Sequence, residues 1–274
     1  DTSIDPVSLH HLFTLHAVVP APGTLFNGVK KCPPAHTMKL DKSGSLSFSR
    51  YWHLIAKRPE MTKTDAQWRD EIHQSLLQAV KKRLAIADVP VGVLLSGGLD
   101  SSLLVALLAE AGVPDIKTFS IGFEDQPEEK GNEFEYSDPV AEMYKTDHHK
   151  FLIPNAEVLQ RLPEAVASMA EPMFGQDAVA FYLLSERVSK SVKVVQSGQG
   201  ADEVFAGYFW YGKMLASAGK PLERFSSWYF DRDHDEYLQT IDPAYHVDDV
   251  TSKYVREALN TEHSDTFMDA VLRF

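Results

Sequence analysis

Apolar positions recur at helical spacing over residues 64 to 84, and a short continuous apolar run follows them. Thr64 is a residue type that commonly precedes a helix, and Asp65 would stand in its first turn. The apolar face comprises Trp68, Ile72, Leu76, Leu77, Val80 and Leu84. The run Val91–Leu95 has the length and composition of a strand buried on both faces of a parallel sheet. We therefore predict a helix, a buried strand and then a second helix over Leu103–Ala111, which Gly112 ends.

The same alternation of strand-like and helix-like segments continues to about residue 200. Further strands are predicted at Ile116–Phe123, His149–Ile153 and Val192–Gln196, and further helices at Ser137–Tyr144, Leu159–Met169 and Val179–Ser191. This alternation predicts an α/β fold with a mostly parallel sheet and helices on both faces. Ligands in such sheets bind at the carboxyl ends of the strands. Beyond Tyr208 the sequence becomes helical, aromatic and charged.

Residues 1–58 differ in composition from the rest of the chain. Their density of proline and glycine predicts turns and hairpins rather than a long helix. Short extended pieces are expected around His16–Val19, Thr37–Leu40 and Leu46–Tyr51. We expect residues 1–58 to be a linker arm and the tail of a preceding domain, and residues 59–274 to form the main domain. The chain begins without methionine and stops within a helical pattern, so we expect it to be a fragment.

Charge and cysteine content narrow the class of partner. The chain has 39 acidic and 27 basic residues and a formal net charge of −12, which disfavours a nucleic acid as the main partner. Its single cysteine, Cys32, excludes an intrachain disulfide and a cysteine-rich metal site. The longest apolar stretch, Val89 to Ala109, is interrupted by Ser96-Gly97-Gly98 and by Asp100, so it cannot span a membrane. We therefore expect a cytoplasmic protein with neither a nucleic-acid nor a membrane partner.

The loop Ser96–Ser102, with the sequence Ser-Gly-Gly-Leu-Asp-Ser-Ser, stands between the predicted strand and the predicted helix. Its two glycines let the backbone turn tightly and approach an anion, and the helix start directs free N–H groups at that anion. Its serine hydroxyls can add further donors. The alternative is a glycine turn in which Asp100 or Ser101 only caps the helix. The run of small and polar residues favours phosphate binding, beside which Asp100 suits a Mg²⁺ ion.

The loop is not a Walker sequence, because no lysine follows its glycines. It resembles the pyrophosphate loop of the ATP pyrophosphatase superfamily, whose members cleave ATP between the α and β phosphates. Within that superfamily, most of the chain resembles the asparagine synthetase (glutamine-hydrolysing) family. The similar segments are Thr24–His36, Tyr51-Trp52, Asp88–Leu95, Phe119–Phe123, Glu135-Tyr136, Thr146–His149 and Ser197–Tyr208.

The resemblance implies a nucleotide site in which Leu95 and Ile121 flank the adenosine and the first loop holds the pyrophosphate. The implied ATP-binding residues are Leu95, Ser96, Gly97, Gly98, Asp100, Ser101, Ser102, Ile121, Ser197 and Gly198. Asp100 and Asp202 would share a Mg²⁺ ion, since carboxylates suit this hard cation. Without the resemblance, Leu95 and Ile121 would be interpreted as core residues. Asp202 would then have a second interpretation as a helix N-cap.

The resemblance also implies the chemistry, with ATP and Mg²⁺ as cofactors. A carboxylate, of aspartate or of a glutamine-containing dipeptide, would be adenylated with release of pyrophosphate, and ammonia would then displace AMP. The ammonia would come from glutamine through a glutaminase domain of the same chain. That domain and the catalytic lysine that the family has near its C-terminus would lie outside this sequence, so we expect the fragment to be inactive with glutamine. Association as a homodimer is left open.

One position departs from the family pattern. Many members have Ser-Gly-Glu-Gly where this chain has Gln199, and that glutamate is important for forming the adenylate. Gln199 is therefore the predicted catalytic position, and as a neutral amide it can only orient a partner by hydrogen bonds. Together with Tyr208–Tyr211 and Tyr229–His234, this glutamine makes the chain similar to N-acetylglutaminylglutamine amidotransferase, which amidates a dipeptide.

Two other classes of function stand beside this one. A nucleotide-binding scaffold without catalysis would have no reason to keep both Asp100 and Asp202. A tRNA-modifying ATP pyrophosphatase is disfavoured by the acidic charge and by the lack of a pair of thiols. His148 and His149 would point to opposite faces of a strand, so they form a poor metal pair.

Overall fold

A computed structural model of the chain describes residues 3–56, 59–127, 130–173, 177–259 and 266–273. The strands of the described residues are β1 His36–Leu40, β2 Leu46–Arg50, β3 Val91–Leu94, β4 Lys117–Phe123, β5 Asp147–Ile153 and β6 Val194–Gln196. The helices are α1 Pro6–Thr14, α2 Asp65–Ile86, α3 Leu99–Glu110, α4 Phe134–Tyr144, α5 Asn155–Ser168, α6 Asp177–Val188, α7 Ala201–Phe205, α8 Phe209–Ala216, α9 Pro221–Tyr229, α10 His234–Thr240, α11 Val250–Ala258 and α12 Phe267–Arg273.

The chain divides into two compact units. One, here called the sheet unit, consists of Met61–Met169 and Gly175–Ala201. The other, here called the helical unit, consists of Asp1–Glu60, Ala170–Phe174 and Asp202–Phe274. The division into a preceding arm and a main domain concerns a domain outside this chain, and it stays a prediction.

The sheet unit contains four parallel strands in the order β5-β4-β3-β6. From β3 the chain moves outward through β4 to β5, and it then returns to place β6 on the free side of β3. The order therefore reverses between β3 and β6. In open α/β sheets, the crevice at such a switch point is where ligands bind.

Helices cover both faces of this sheet. On one face, Val93 of β3 packs with Leu77 and Val80 of α2 and with Val105 of α3. The opposite face carries Phe119 of β4, which packs with Leu184 and Val188 of α6. The predicted α/β fold, with a parallel sheet and helices on both faces, is confirmed.

Helix α2 starts as the sequence predicts, whereas α3 does not. Thr64 caps α2 through a reciprocal capping box with Gln67. Helix α3 was expected from Leu103 but begins at Leu99, because Gly98 takes the extended N-cap conformation. The prediction was wrong because glycine and serine are weak helix formers and conceal the first turn. Its consequence is that the second half of the first loop lies in the first helical turn.

The helical unit corrects the prediction for the first residues of the chain. Pro6–Thr14 forms helix α1, because the Asp5 carboxylate accepts hydrogen bonds from the N–H groups of Val7 and Ser8 and Pro6 is tolerated at a helix start. The extended piece expected at His16–Val19 is also wrong, since His16 has a φ of 48°. The predicted hairpin is confirmed, with β1 and β2 antiparallel.

The core of the helical unit is formed by its later helices. Met214 of α8, Phe225 of α9 and Val255 of α11 are buried together with Leu15, which directly follows α1. These contacts join the start of the chain to its last third. Among the described helices, none combines the length and the apolar character needed to cross a membrane.

Candidate nucleotide-binding site

Both glycine-rich loops begin at the switch point of the sheet. The loop Ser96–Ser102 follows β3, and the loop that starts at Ser197 follows β6. Since β3 and β6 are parallel neighbours, their carboxyl ends open toward the same edge. Residues 96–102 and 197–201, which all belong to the sheet unit, face each other at this edge.

The first loop presents the uncapped start of α3. The N-cap residue is Gly98, which has no side chain to accept bonds from the first-turn N–H groups. The backbone N–H of Ser102 donates to the carbonyl of Gly98 at 3.0 Å, so regular helical bonding begins there. The preceding N–H groups and the positive end of the helix dipole form an anion-binding arrangement. Asp100 is the second residue of the helix, so it is not its cap.

The serine hydroxyls fix the shape of this loop. The Oγ atoms of Ser96 and Ser101 lie 3.0 Å apart, and the N–H of Gly98 donates to Ser96 Oγ at 3.2 Å. The Ser102 hydroxyl donates to the carbonyl of Gly98 at 2.7 Å. These bonds hold the loop in one conformation before any ligand binds, which lowers the entropic cost of binding.

Gly97 can only be glycine in this arrangement. Its φ is +87°, and a Cβ added there would lie 2.3 Å from the carbonyl carbon of Tyr136. Tyr136 and Ser137 belong to the first turns of α4, so the loop rests against the backbone of that helix. Sequence reasoning assigned no role to this support.

The second loop makes its close approach through Gly198. A Cβ added to Gly198 would lie 2.8 Å from the Cβ of Asp100 and 3.0 Å from the backbone nitrogen of Ser101. Only a residue without a side chain lets the two loops lie at this distance. Gln199 beyond it is exposed, and its Oε1 accepts a hydrogen bond from the Ser197 hydroxyl at 3.3 Å.

Gln196, the last residue of β6, is a polar residue that sequence reasoning did not select. Its side chain is only 9% exposed, and its Nε2 has no hydrogen-bond partner among the described residues. A buried donor without a partner costs free energy. A ligand that accepts a hydrogen bond from this donor would remove that cost. The available signal was a polar residue closing the apolar run that precedes Ser197.

The structure does not bring the predicted adenosine residues together by their side chains. Leu95 is 1% exposed and packs in the core with α2 and α3. Ile121 is half-buried and packs on the opposite face of the sheet with Phe119 and Phe151. Their contact with a nucleotide stays a prediction.

Asp100 and Asp202, the predicted metal ligands, are both half-buried. Neither carboxylate accepts a hydrogen bond from the described residues. Such carboxylates suit a hard cation such as Mg²⁺. Asp202 is the second residue of α7 and does not cap it. A Cβ on Gly207 would lie 2.1 Å from Asp202 Oδ1, so a side chain at this position would force the carboxylate to move. Asp100 and Asp202 belong to different units, and their sharing of one ion stays a prediction.

Neighbouring histidines and tyrosines have structural roles. His148 bonds Thr118 through Nδ1 at 2.8 Å, whereas His149 stacks on Phe119 with the ring centroids 5.2 Å apart. The two imidazoles therefore face opposite sides of the sheet, as predicted. In the helical unit, Tyr208 stacks on Trp210 at 4.1 Å, which agrees with a packing role for the aromatic run.

An open parallel sheet with two glycine-rich loops at its switch point defines an α/β protein of the class that binds ligands beyond the carboxyl ends of its strands. A family model described as asparagine synthase matches residues 71–267, which is most of the chain. The chain belongs to the asparagine synthase family.

Comparison with individual proteins agrees with this membership. The chain is 33% identical over 227 residues to asparagine synthetase (glutamine-hydrolysing) 1 of Bacillus subtilis, covering 83% of this chain and 34% of that protein. It is 29% identical over 203 residues to asparagine synthetase B (glutamine-hydrolysing) of Escherichia coli, covering 66% of this chain and 36% of that protein. The chain thus spans about a third of the length of these curated relatives.

Among solved structures, the chain is similar to an NH₃-dependent NAD synthetase from Campylobacter jejuni. The identity is 14%, the TM-score is 0.37, and the match covers 68% of this chain and 92% of that chain. This similarity is too low to define the fold, which rests on the strand order of the sheet unit.

Proposed function

We propose that the complete protein uses ATP to form an amide, by adenylating a carboxylate and then replacing AMP with ammonia. The observation that carries this proposal is the contact of Gly198 with Asp100 and Ser101 at the switch point. It brings the second glycine-rich loop against the uncapped start of α3 and beside the carboxylate of Asp100. Membership of the asparagine synthase family supports the type of reaction.

The first loop would bind the β and γ phosphates, which leave as pyrophosphate. Its N–H groups and the start of α3 would stabilise the charge that develops on the leaving group. Asp100, together with Asp202, would hold Mg²⁺, which supplies positive charge to the phosphate oxygens when bound. The protein's own contribution is then position and electrostatics, because the reacting groups belong to the substrates.

We propose that the reaction proceeds in two displacements. A substrate carboxylate oxygen attacks the α phosphorus, and the bond from that phosphorus to the oxygen bridging to the β phosphorus breaks. The nitrogen of ammonia then attacks the acyl carbon, the bond from that carbon to the AMP oxygen breaks, and one ammonia proton is released. Ammonia would be derived from glutamine in a domain outside this chain.

For the carboxylate itself, we propose a glutamine-containing dipeptide rather than free aspartate. Gln199 is exposed at the end of the second loop, where a neutral amide can orient a substrate but cannot accept its proton. Its bond to the Ser197 hydroxyl fixes the oxygen of this amide and leaves its NH₂ group as a donor. That donor suits the carbonyl groups of a peptide.

Exchange of labelled pyrophosphate into ATP tests the proposal. The complete protein, with ATP and Mg²⁺ and without ammonia, should catalyse exchange only when the substrate acid is present. Exchange that needs no acid, or nucleotide binding without exchange under any acid tested, would contradict an adenylating function.

A further inference from the structure

A second cluster of ligand-type side chains lies within the helical unit. It consists of His10 on α1, His234 at the start of α10 and Asp249, the N-cap residue of α11. His10 is separated from His234 and Asp249 by more than 200 positions in the chain, yet one ligand atom of each residue lies within 4.8 Å of the other two. The contact of His10 with the other two residues is therefore made by the fold and not by local sequence.

The two histidine rings face each other through nitrogen atoms. His10 Nε2 lies 3.0 Å from His234 Nδ1, and the His10 side chain is fully buried. Two tetrahedral Zn²⁺ ligands with Zn–N bonds of about 2.0–2.1 Å have nitrogens roughly 3.3 Å apart. The rings would therefore open by only a few tenths of an ångström to admit an ion of this kind.

Thr251 positions the His10 ring through Nδ1, the ring nitrogen that does not face His234. Its buried hydroxyl lies 2.5 Å from His10 Nδ1 and 3.0 Å from His11 Nδ1. Of the two proton arrangements that this hydroxyl allows, one has His10 Nδ1–H donating to Thr251 and Thr251 donating to His11. That arrangement leaves the lone pair of His10 Nε2 directed into the cluster, as metal-binding histidines require.

The charges of the cluster also suit a cation. Burial lowers the pKa of His10 to about 4, against the opposing effect of Asp249, so this ring is neutral at pH 7. Asp249 uses Oδ1 to accept the N–H of Ser252 at 3.0 Å, which leaves its other oxygen for a ligand.

We propose that His10, His234 and Asp249 bind one divalent transition-metal ion of the Zn²⁺ type. Imidazole nitrogens with one carboxylate suit Zn²⁺ or Co²⁺, whereas Mg²⁺ prefers oxygen ligands alone. Three protein ligands leave a fourth position for water. The ion would join α1 to α10 and α11. The proposed metal site depends neither on the nucleotide site nor on the proposed amide synthesis.

Titration with Co²⁺ alone tests the site, because tetrahedral Co²⁺ absorbs visible light. The complete protein, freed of metal by a chelator, should bind one Co²⁺ ion, and this binding should require the three cluster residues. Zn²⁺ should displace the bound Co²⁺, whereas excess Mg²⁺ should not. The variants Asp249→Asn and His234→Gln should each weaken that binding by about tenfold or more, as loss of even a supporting residue costs about 10–100-fold. His246→Gln is the matched control, since His246 is an exposed histidine of the same unit outside the cluster.

Asp249→Asn also keeps the experiment interpretable, because asparagine caps a helix as well as aspartate does and α11 should stay folded. At the same Zn²⁺ concentration, the Tm of the parent protein and of His246→Gln should rise more than that of Asp249→Asn. Absence of Co²⁺ binding, or equal binding by the parent protein and both cluster variants, would overturn the proposal. Equal loss in His246→Gln would overturn it too, by showing that binding belongs to surface histidines.

Discussion

A Cβ placed on Gly198 would lie 2.8 Å from the Cβ of Asp100, so the second residue after β6 touches the first turn of the helix after β3. This contact turns two loops that are separated by about a hundred residues into one surface. It depends on β3 and β6 being neighbours and on glycine at position 198.

Gly198→Ala should lower the rate of acid-dependent pyrophosphate exchange by about tenfold or more. The added methyl must push the loops apart, overpacking of this kind costs about 1–3 kcal/mol, and about 1.4 kcal/mol corresponds to a factor of ten. Gly112→Ala is the control, because Gly112 has a φ of +80° but open space around it. That control should lose stability through strain and keep its exchange rate. Equal exchange by both folded variants would show that the contact has no role in the site.

Asp100→Asn and Asp202→Asn should each abolish Mg²⁺-dependent release of pyrophosphate without unfolding the protein. Neither carboxylate caps its helix or accepts a hydrogen bond from the described residues, so stability has little dependence on either charge. Asp147→Asn, which removes an exposed carboxylate paired with Lys117, serves as the control and should keep activity. Near-normal turnover of a folded double variant would show that these carboxylates hold no ion.

Stability should fall as the pH is lowered from about 7 toward 5, in part through His148. Burial lowers the pKa of this histidine below its ordinary value of 6.5, despite the opposing effect of Asp138; Lys150 and His149 lower it further. The unfolded chain therefore binds a proton below pH 6.5 that the native state excludes, so this contribution is complete above pH 6.5 and is lost on acidification.

His148→Gln tests this contribution, because glutamine does not titrate and can still bond Thr118. The Tm of this variant should fall less between pH 7 and pH 5 than the Tm of the parent protein. His246→Gln, at an exposed histidine of the helical unit, should behave like the parent. An unchanged pH dependence in His148→Gln would show that its imidazole is not held neutral.

The neutral side chain of Gln199 predicts a substrate preference. Under matched ATP, Mg²⁺ and ammonia, kcat/KM should be higher for N-acetylglutaminylglutamine than for aspartate. Gln199→Glu should reduce this preference, because a carboxylate replaces the amide donor. A higher kcat/KM of the parent protein for aspartate would overturn the dipeptide assignment and leave amide synthesis in place.

The sequence was sufficient for the parts of the molecule that depend on local pattern. Helix α2 was visible from its apolar spacing and from Thr64, and the parallel sheet followed from the alternation of elements. The first loop was recognisable as a motif. The start of α3 at Leu99 was not, because the glycine and serine residues around it have low helix propensity. Helix α1 was missed because its stability comes from the Asp5 cap and from burial of residues such as Leu12.

The remaining features depend on contacts between distant segments. The approach of Gly198 to Asp100 requires the pairing of β3 with β6, which no local pattern contains. The contact of His10 with His234 joins residues 224 positions apart. The sequence did not single out Gln196, because only the folded structure shows that its Nε2 is buried without a hydrogen-bond partner among the described residues.

Product analysis tests the central claim most directly. The complete protein is incubated with ATP, Mg²⁺, ammonia and the substrate acid, and the nucleotide and phosphate products are identified by ³¹P NMR. Cleavage between the α and β phosphates predicts AMP and pyrophosphate in amounts equal to the amide formed, and their loss in Asp100→Asn. Formation of ADP and inorganic phosphate instead would contradict the assignment of the two loops as a pyrophosphate-releasing site.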